Sequence, residues 1–116
     1  MSAAFGNQTQ ALGSSSIAAG YLSVARNNLC FAFGEGLDVN SGFTVGQYNE
    51  KKYSIVFSVG VGTSDTNRKN ALDIQSLTGN INFYTPAVFN STIQVKDYIS
   101  FDTNYRLALD SNSLYW

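Results

Sequence analysis

Small residues recur every seven positions through the first part of this chain. One position of each seven-residue unit is occupied by alanine in five successive units and by Val39 in the sixth; the alanines are Ala4, Ala11, Ala18, Ala25 and Ala32. Glycine or asparagine stands two positions after each alanine, and serine, threonine or cysteine stands five positions after each of the first four. The positions between hold large apolar residues, which are Phe5, Leu12, Ile17, Val24, Phe31 and Phe33. The repeating unit is therefore Ala-x-Gly-x-x-Ser-x.

A seven-residue period is also typical of coiled coils, but this repeat excludes one. Coiled-coil heptads carry large apolar residues at two positions and avoid glycine, which costs about 1 kcal/mol per helical position relative to alanine. Glycine and asparagine tolerate positive φ, so we expect a turn wherever they recur. Turns every seven residues leave segments of about four or five residues, which is the length of a β-strand. The pattern predicts short strands and turns wound into a β-roll, with one coil for each pair of sevens.

The alanines are predicted to face a narrow interior, and the serine and threonine hydroxyls are predicted to bond backbone groups at the corners. Burial of one alanine methyl contributes about 0.8 kcal/mol, which is less than the roughly 1 to 2 kcal/mol of backbone entropy lost per ordered residue. Coils must therefore stack, and the large apolar residues of the second face must be covered. We expect identical chains to cover that face, which makes the protein an oligomer. Periodicity alone does not give the hand of the roll.

Two segments of the repeat, Ala11–Gly20 and Ala32–Gly36, resemble the head repeats of trimeric adhesins and of bacteriophage fibre proteins. The segments Gly62–Ile74 and Thr78–Ile81 are similar to the stretch that follows these repeats in phage fibre proteins. The resemblance extends to about residue 84. It implies a left-handed parallel β-roll in which three chains form one rod.

A polar segment at residues 47–52 separates two predicted modules. Residues 1–50 form the β-roll, and residues 51–116 form a small β-meander with a sub-boundary near residue 86. A single proline and an aromatic content of 14% favour strands throughout the chain. The predicted fold is all-β: an N-terminal trimeric left-handed β-roll of seven-residue half-repeats, followed by a small interleaved β-meander.

The meander is predicted from runs of β-branched and aromatic residues between turn signals. Tyr53–Val59 has apolar residues on both faces, which predicts a fully buried strand that Gly60 and Gly62 end. A turn at Gly79 predicts a hairpin between the strands on either side of it. The remaining predicted strands are Ala71–Gln75, Ile81–Tyr84, Thr92–Val95, Tyr98–Phe101, Tyr105–Leu109 and Leu114–Trp116.

Charge and composition narrow the classes of partner. Charged residues make up 13% of the chain, and its formal net charge is −1. A site for a nucleic-acid backbone needs a basic patch, so nucleic acid is not an expected partner. Residues 1–20 lack the basic and apolar parts of an export signal, and no run approaches the roughly 18 apolar residues of a membrane span. We therefore expect a virion protein assembled in the host cytoplasm without membrane insertion, or a bacterial cell-surface protein if the chain is a fragment of an exported adhesin.

The residue types argue against an enzyme. The chain contains no histidine, and Cys30 is its one cysteine, so a disulfide within the chain is excluded. Cys30 stands at a corner position that serine or threonine fills elsewhere, so we interpret it as a small filler. A carboxylate pair for glycoside hydrolysis would have to come from the five aspartates Asp65, Asp73, Asp97, Asp102 and Asp110. Each stands in or beside a predicted turn and no spacing selects two of them, so we predict no catalytic residue, no metal and no cofactor.

Six tyrosines and the tryptophan are the residues best suited to hold a sugar or a protein surface, because their rings stack while their polar atoms bond. They are Tyr21, Tyr48, Tyr84, Tyr98, Tyr105, Tyr115 and Trp116. We interpret most of them as core between chains. A binding surface is predicted only for those near the end of the sequence, which are Tyr98, Tyr105, Tyr115 and Trp116. Its ligand would be a glycan or a protein of the host cell surface.

Three functions remain open at this point. The first is a structural and adhesive segment of a bacteriophage fibre or spike, a homotrimer joined to other virion proteins. The second is the head domain of a bacterial trimeric adhesin. The third is a polysaccharide-degrading tailspike fragment, which would release oligosaccharide from host capsule. The repeat and the lack of an export signal favour the first.

Overall fold

The computed structural model of the protein describes residues 1–100 and contains ten β-strands in that part. The strands are β1 (Ala3–Asn7), β2 (Gln10–Ala11), β3 (Ile17–Tyr21), β4 (Val24–Ala25), β5 (Phe31–Glu35), β6 (Asp38–Val39), β7 (Phe43–Gln47), β8 (Ile55–Val61), β9 (Asn70–Gln75) and β10 (Ile81–Phe83). No helix occurs within residues 1–100, so the all-β prediction is confirmed for this part of the chain.

The chain winds into stacked parallel coils as far as β8. The first three coils each hold one five-residue strand and one two-residue strand, and equivalent residues of the first two coils are fourteen apart, as Ala4 and Ala18 are. Long strands pair only with long strands, while the short strands β2, β4 and β6 form a separate three-stranded sheet. Two sevens therefore make one coil, as predicted, and stacking the coils produces a two-sheeted β-solenoid.

The third coil is two residues shorter than the others. Phe31 of β5 pairs with Phe43 of β7, twelve positions later, whereas Phe43 pairs with Phe57 of β8 at the usual spacing of fourteen. Parallel winding then continues through β8 to Val61, beyond residue 50, where the sequence places the end of the roll. The division into modules at residue 50 stays a prediction, and the sheet itself is continuous across it.

Two antiparallel strands end the winding. β9 pairs with β8, β10 pairs with β9, and the turn between β9 and β10 contains Gly79 at φ +74°. The predicted hairpin of Ala71–Gln75 and Ile81–Tyr84 is therefore confirmed. These strands join those of the coils in one seven-stranded sheet, in the order β1-β3-β5-β7-β8-β9-β10.

The interior between the two sheets is narrow and lined by small side chains. Ala18, Ala25 and Ala32 are fully buried, as predicted, and Cys30 is buried among them. Ala4 belongs to the same inward-facing column but is exposed, because it lies in the outermost coil and has a neighbouring coil on one side only.

Side-chain hydroxyls close the corners. The Ser16 hydroxyl donates to the carbonyl oxygen of Gly13 at 2.6 Å, and the Ser23 hydroxyl donates to that of Gly34 at 2.8 Å. The predicted role of the repeat serines is therefore confirmed at these two corners. Cys30 takes the same place in the count, and burial raises the pKa of its thiol, which agrees with its interpretation as a small filler.

The regular glycines have a different role from the one predicted. Four of them lie inside the long strands with φ between +104° and +153°, and they stack in register; they are Gly6, Gly20, Gly34 and Gly46. A Cβ atom on Gly20 would lie 2.0 Å from the carbonyl oxygen of Gly34. The close approach of successive coils therefore excludes any side chain at this position.

The left-handed corner residues are not glycines in the first two coils. The first four corners place Gln8, Ser15, Leu22 and Leu29 at φ between +56° and +60°. The prediction that the repeat glycines supply positive φ to the turns is wrong for these corners. Asn27 likewise does not replace glycine, since its side-chain amide donates to the carbonyl oxygen of Asn40 at 2.7 Å. Stacking of each corner on the next holds these residues in a conformation that costs about 1 kcal/mol or more.

The prediction for the strand after residue 52 is wrong in two respects. β8 continues through Gly60 to Val61, and its outward residues Phe57 and Val59 are only half-buried, so the strand is neither ended by Gly60 nor buried on both faces. The reason is that a two-sheeted roll buries only the inner face of each sheet. Apolar residues of both parities indicate a fully buried strand only where a second layer covers the outer face.

The predicted strand Thr92–Val95 is also absent. This segment and residues 98–100 have no strand partner within the described part of the chain. A β-branched run becomes a strand only when another strand pairs with it. The predicted strands Tyr105–Leu109 and Leu114–Trp116 lie outside the described residues.

Replacing Gly20 with alanine is expected to lower the free energy of unfolding by more than about 2 kcal/mol, because the new Cβ overlaps backbone atoms and takes an unfavourable φ. Ser14→Ala is the matched control, since Ser14 is exposed and its side chain makes no hydrogen bond within residues 1–100. Chemical denaturation followed by circular dichroism measures both variants. Equal unfolding midpoints would contradict the stacked arrangement of the glycines.

Candidate functional site

The outer face of the seven-stranded sheet carries two apolar columns, which together we call the apolar face. In each column, every strand contributes one residue in register with the next strand. The first column is Ala3, Ile17, Phe31, Phe43, Phe57, Ile74 and Ile81. The second column is Phe5, Ala19, Phe33, Val45, Val59, Leu72 and Phe83.

None of the residues of the apolar face is buried. Phe5 is 63% exposed at one end of the sheet, and Phe83 is 58% exposed at the other. Between them, the ring of Phe43 contacts that of Phe33 with centroids 5.3 Å apart and that of Phe57 at 5.7 Å. Soluble monomeric proteins rarely expose a continuous apolar patch of more than a few hundred Å². A continuous apolar surface across all seven strands therefore indicates an interaction surface.

The inward-facing column of the same sheet changes from apolar to polar residues along the roll. It begins with three alanines and ends with polar residues, in the order Ala4, Ala18, Ala32, Thr44, Ser58, Asp73 and Asn82. The hydroxyl oxygens of Thr44 and Ser58 are 2.7 Å apart and share a hydrogen bond. The column therefore leads from an apolar interior to a buried carboxylate at Asp73.

Asp73 is fully buried and hydrogen-bonded on both carboxylate oxygens. The ammonium of Lys52 donates to Oδ2 at 3.0 Å, while the hydroxyl of Tyr84 and the amide of Asn82 each donate to Oδ1 at 3.2 Å. Lys52 also donates to the Tyr84 hydroxyl at 2.9 Å and lies 4.2 Å from the centroid of that ring. These contacts tie the segment before β8 to the hairpin that ends the roll.

The charges of this cluster stabilise one another. Burial alone would raise the pKa of Asp73, but hydrogen bonds from Lys52 and Asn82, with the nearby ammonium charge, hold that pKa below its ordinary value. Burial alone would lower the pKa of Lys52, but Tyr84 and Asp73 raise it above its ordinary value. The sequence analysis placed Asp73 in or beside a turn, which is wrong, because it lies within β9 and bonds side chains rather than its own backbone.

A second buried carboxylate ends the three-stranded sheet. Asp38 accepts two hydrogen bonds from Arg26, one of them from Nη2 at 2.9 Å, and its Oδ2 lies 3.3 Å from the ammonium of Lys51. Burial would raise its pKa, but Arg26 and Lys51 hold it below the ordinary value. The side chain of Asn49 accepts from the backbone nitrogen of Asp38 at 2.8 Å and donates to its carbonyl oxygen at 3.1 Å. The side-chain amide of Asn49 thus makes the backbone hydrogen bonds to Asp38 that a fourth strand would otherwise make.

The polar loop between β8 and β9 is held to the roll by Arg68. Its guanidinium donates to the carbonyl oxygens of Gly36 at 2.8 Å and Asn49 at 3.3 Å, and it pairs with Asp65 at 2.7 Å. Asp65 is exposed, and the hydrogen bond from Arg68, together with the charge of that guanidinium, lowers its pKa. Within the described residues, no group of three or more acidic, histidine or cysteine side chains is placed to hold a metal ion.

The predicted tyrosine cluster lies mostly outside the described residues. Tyr98 is 74% exposed, whereas Tyr105, Tyr115 and Trp116 lie outside the described residues. The cluster therefore stays a prediction. An exposed ring that the sequence analysis did not select is Tyr53, which is 72% exposed beside an open depression of about 430 Å³. That depression lies against the turn between β9 and β10.

The sequence analysis predicted an apolar outer face that other chains cover, but it did not predict the Asp73 cluster. The signal for the first is present in the chain, since the large apolar residues stand two positions apart within successive repeats. No sequence feature near Asp73 indicates the Asp73 cluster. Asp73 joins the inward column only through the antiparallel register of β8 and β9, which includes two irregularities.

Comparison with known proteins finds no relative. A scan against protein-family models, a search of curated proteins and a search of solved structures each return no match to this chain. Within residues 1–100, no helix is long and apolar enough to cross a membrane. The geometry of the described residues is therefore the basis on which a function is proposed.

Asp73→Asn is expected to lower the free energy of unfolding near pH 7 by about 3 kcal/mol, the low end for a broken buried ion pair, because the Lys52 side chain is 28% exposed. The folded-state pKa of Asp73 lies below its ordinary value, so the carboxylate stabilises the fold above about pH 4. That stabilisation is lost as the pH falls through the folded-state pKa. The difference between wild type and variant should close in that acidic range.

Chemical denaturation across that pH range measures the difference. Asp97→Asn is the matched control, because Asp97 is exposed and makes no ion pair within the described part of the chain. A difference between Asp73→Asn and wild type that is the same at neutral and acidic pH would show that the carboxylate charge contributes nothing.

Proposed function

We propose that this chain is a structural and adhesive segment of a bacteriophage fibre or spike, in which three identical chains form one rod. The observation that carries the proposal is the apolar face, which crosses the whole seven-stranded sheet and is left uncovered in a single chain. Nothing in the described part of one chain covers it. A second and third copy provide matching surfaces by symmetry, since closed symmetric assembly is the commonest arrangement of identical chains.

A rod suits the architecture of the described residues. Each coil adds one strand spacing, about 4.8 Å, to the length of the stack without changing its cross-section. The seven strands of the large sheet therefore span roughly 29 Å along the stacking direction. Such a module works as a spacer whose length depends on the number of coils, because each coil contacts only its neighbours.

The proposal includes no catalytic step. The two buried carboxylates, Asp38 and Asp73, are each engaged by a cation and by further hydrogen bonds. Ion pairing of this kind favours the charged form of both groups, whereas glycoside hydrolysis needs one carboxyl group to stay protonated. These residues are better explained as structural ion pairs: Asp38 lies in the last strand of the three-stranded sheet, and Asp73 holds the hairpin of β9 and β10 to the segment before β8.

The proposed location is the virion, after assembly in the host cytoplasm. The proposed partners are two further copies of this chain, other virion proteins, and a glycan or protein of the host cell surface. No nucleic acid, membrane insertion or cofactor is proposed. The predicted surface for the host molecule remains Tyr98, Tyr105, Tyr115 and Trp116.

Light scattering on the purified protein is expected to give three times the chain mass of 12.6 kDa. Phe33→Asp is expected to shift the population towards monomer, because it places a charge in the centre of the apolar face where burial of an unpaired charge is costly. Leu29→Asp is the matched control, since Leu29 is 66% exposed at a corner and is not part of the apolar face. A wild-type mass near that of one chain would rule out the trimer.

The adhesive part of the proposal is tested by binding to host cells. Replacing Tyr98, Tyr105, Tyr115 and Trp116 with alanine is expected to reduce binding by a factor of about 100 or more, because three weak copies act together on one surface. Tyr53→Ala is the control, because Tyr53 is an exposed ring outside this set. Circular dichroism and light scattering confirm that each variant is folded and has the wild-type mass. Undiminished binding by the fourfold variant would remove these residues from the receptor site.

A further inference from the structure

The chain leaves the sheet after β10 and continues as a segment whose apolar side chains point to solvent. We call residues 86–100 the apolar arm. Every residue of the arm is exposed, and the structure assigns it no strand. Six large apolar side chains of the arm are between 45% and 80% exposed; they are Val88, Phe89, Ile93, Val95, Tyr98 and Ile99.

The arm is rich in apolar residues and poor in charge, which is typical of a segment that packs against another protein surface. Its β-branched run Thr92–Val95 has the character of a strand but no strand to pair with in the described part of the chain. Its charged residues are Lys96 and Asp97, whose formal charges cancel. A solvated linker would instead be rich in small and charged residues.

One chain therefore exposes two apolar surfaces, the arm and the apolar face, that do not cover each other. The columns of the apolar face contain no charged residue, so they match the uncharged, apolar side of the arm. The arm is also long enough to cross the face. Fifteen extended residues reach up to roughly 50 Å, which exceeds the roughly 29 Å that the seven strands span.

We infer that the arm of each copy packs on the apolar face of a neighbouring copy, an inference that rests on the proposed homotrimer. Each chain then provides one arm and receives one, and a three-fold arrangement closes after three exchanges. An aromatic side chain alone buries about 150 to 250 Å², so Phe89 and the four aliphatic side chains of the arm, with the part of the face that they cover, approach the roughly 1,000 Å² of a specific interface. Tyr98 is left to the proposed surface for the host molecule.

Photo-cross-linking from the arm tests this inference. A benzophenone amino acid replaces Phe89, a position that is 59% exposed in the single chain. Protein labelled with a heavy nitrogen isotope and unlabelled protein are unfolded, mixed in equal amounts, refolded and irradiated, and the cross-linked peptides are identified by mass spectrometry. Benzophenone at Leu77, which is 86% exposed in the turn between β9 and β10, is the control.

The expected result is cross-linking from position 89 to peptides of β5, β7 or β8, with heavy–light adducts as abundant as same-isotope adducts. The control position is expected to produce no heavy–light adduct on those strands. Same-isotope adducts alone would show that the arm folds onto its own chain, and would overturn the inference. Adducts confined to other surfaces, or no adduct, would overturn it too.

A second variant separates this inference from the proposed trimer. Val88→Asp combined with Phe89→Asp is expected to lower the trimer fraction at least tenfold at equal protein concentration, while circular dichroism retains the strand signal of the roll. If the wild type is a trimer and the double variant remains one, the arm is not part of the interface and only the arm exchange fails. If the wild type is a monomer, the proposed function fails as well.

Discussion

The fold depends on how closely the backbone of one coil approaches the next at the glycine positions. A Cβ at Gly6, Gly20 or Gly34 would lie about 2 Å from a carbonyl oxygen of the adjacent coil, which no packing adjustment accommodates. With glycine there, the strands keep a regular parallel register, and everything else follows from that register. It aligns the alanines in the interior and the large apolar residues on the outer face. The corners adopt left-handed conformations without glycine because the stack, and not the local sequence, fixes them.

The interior also explains why the winding ends where it does. Alanine fills the narrow space in the first coils, but Thr44 and Ser58 replace it in later strands and Asp73 follows them. A buried carboxylate needs a cation and hydrogen-bond donors, and Lys52 and its neighbours on the hairpin meet that need. Another alanine coil in the place of β9 would leave that ammonium without its acceptor. The winding therefore ends in an antiparallel hairpin, which supplies the buried carboxylate and hydrogen-bond donors to it.

The seven-residue count was sufficient to predict coils, an alanine interior, hydroxyl-closed corners and an outward apolar side, because each of these depends on contacts that repeat at a fixed spacing. The count did not predict the role of the glycines, since glycines required in turns and glycines required between close strands recur at the same spacing in a sequence. Asp73 could not be identified as buried, because its neighbours come from the distant segments at Lys52 and Tyr84. The strand at Thr92–Val95 was predicted from its β-branched residues alone. It does not form because no other strand pairs with this segment within the described residues.

The fixed spacing of the coils has a consequence for the order of folding. Nearly every strand pair in the roll joins residues only twelve or fourteen positions apart, so little loop entropy is lost when each coil closes. Structures with such short-range contacts fold fast, and a repeat stack can grow one unit at a time. During synthesis, each coil can dock on the one before it as soon as it leaves the ribosome. Each roll can therefore be complete before the segment that follows it has left the ribosome, which leaves subunit association as the later, concentration-dependent step.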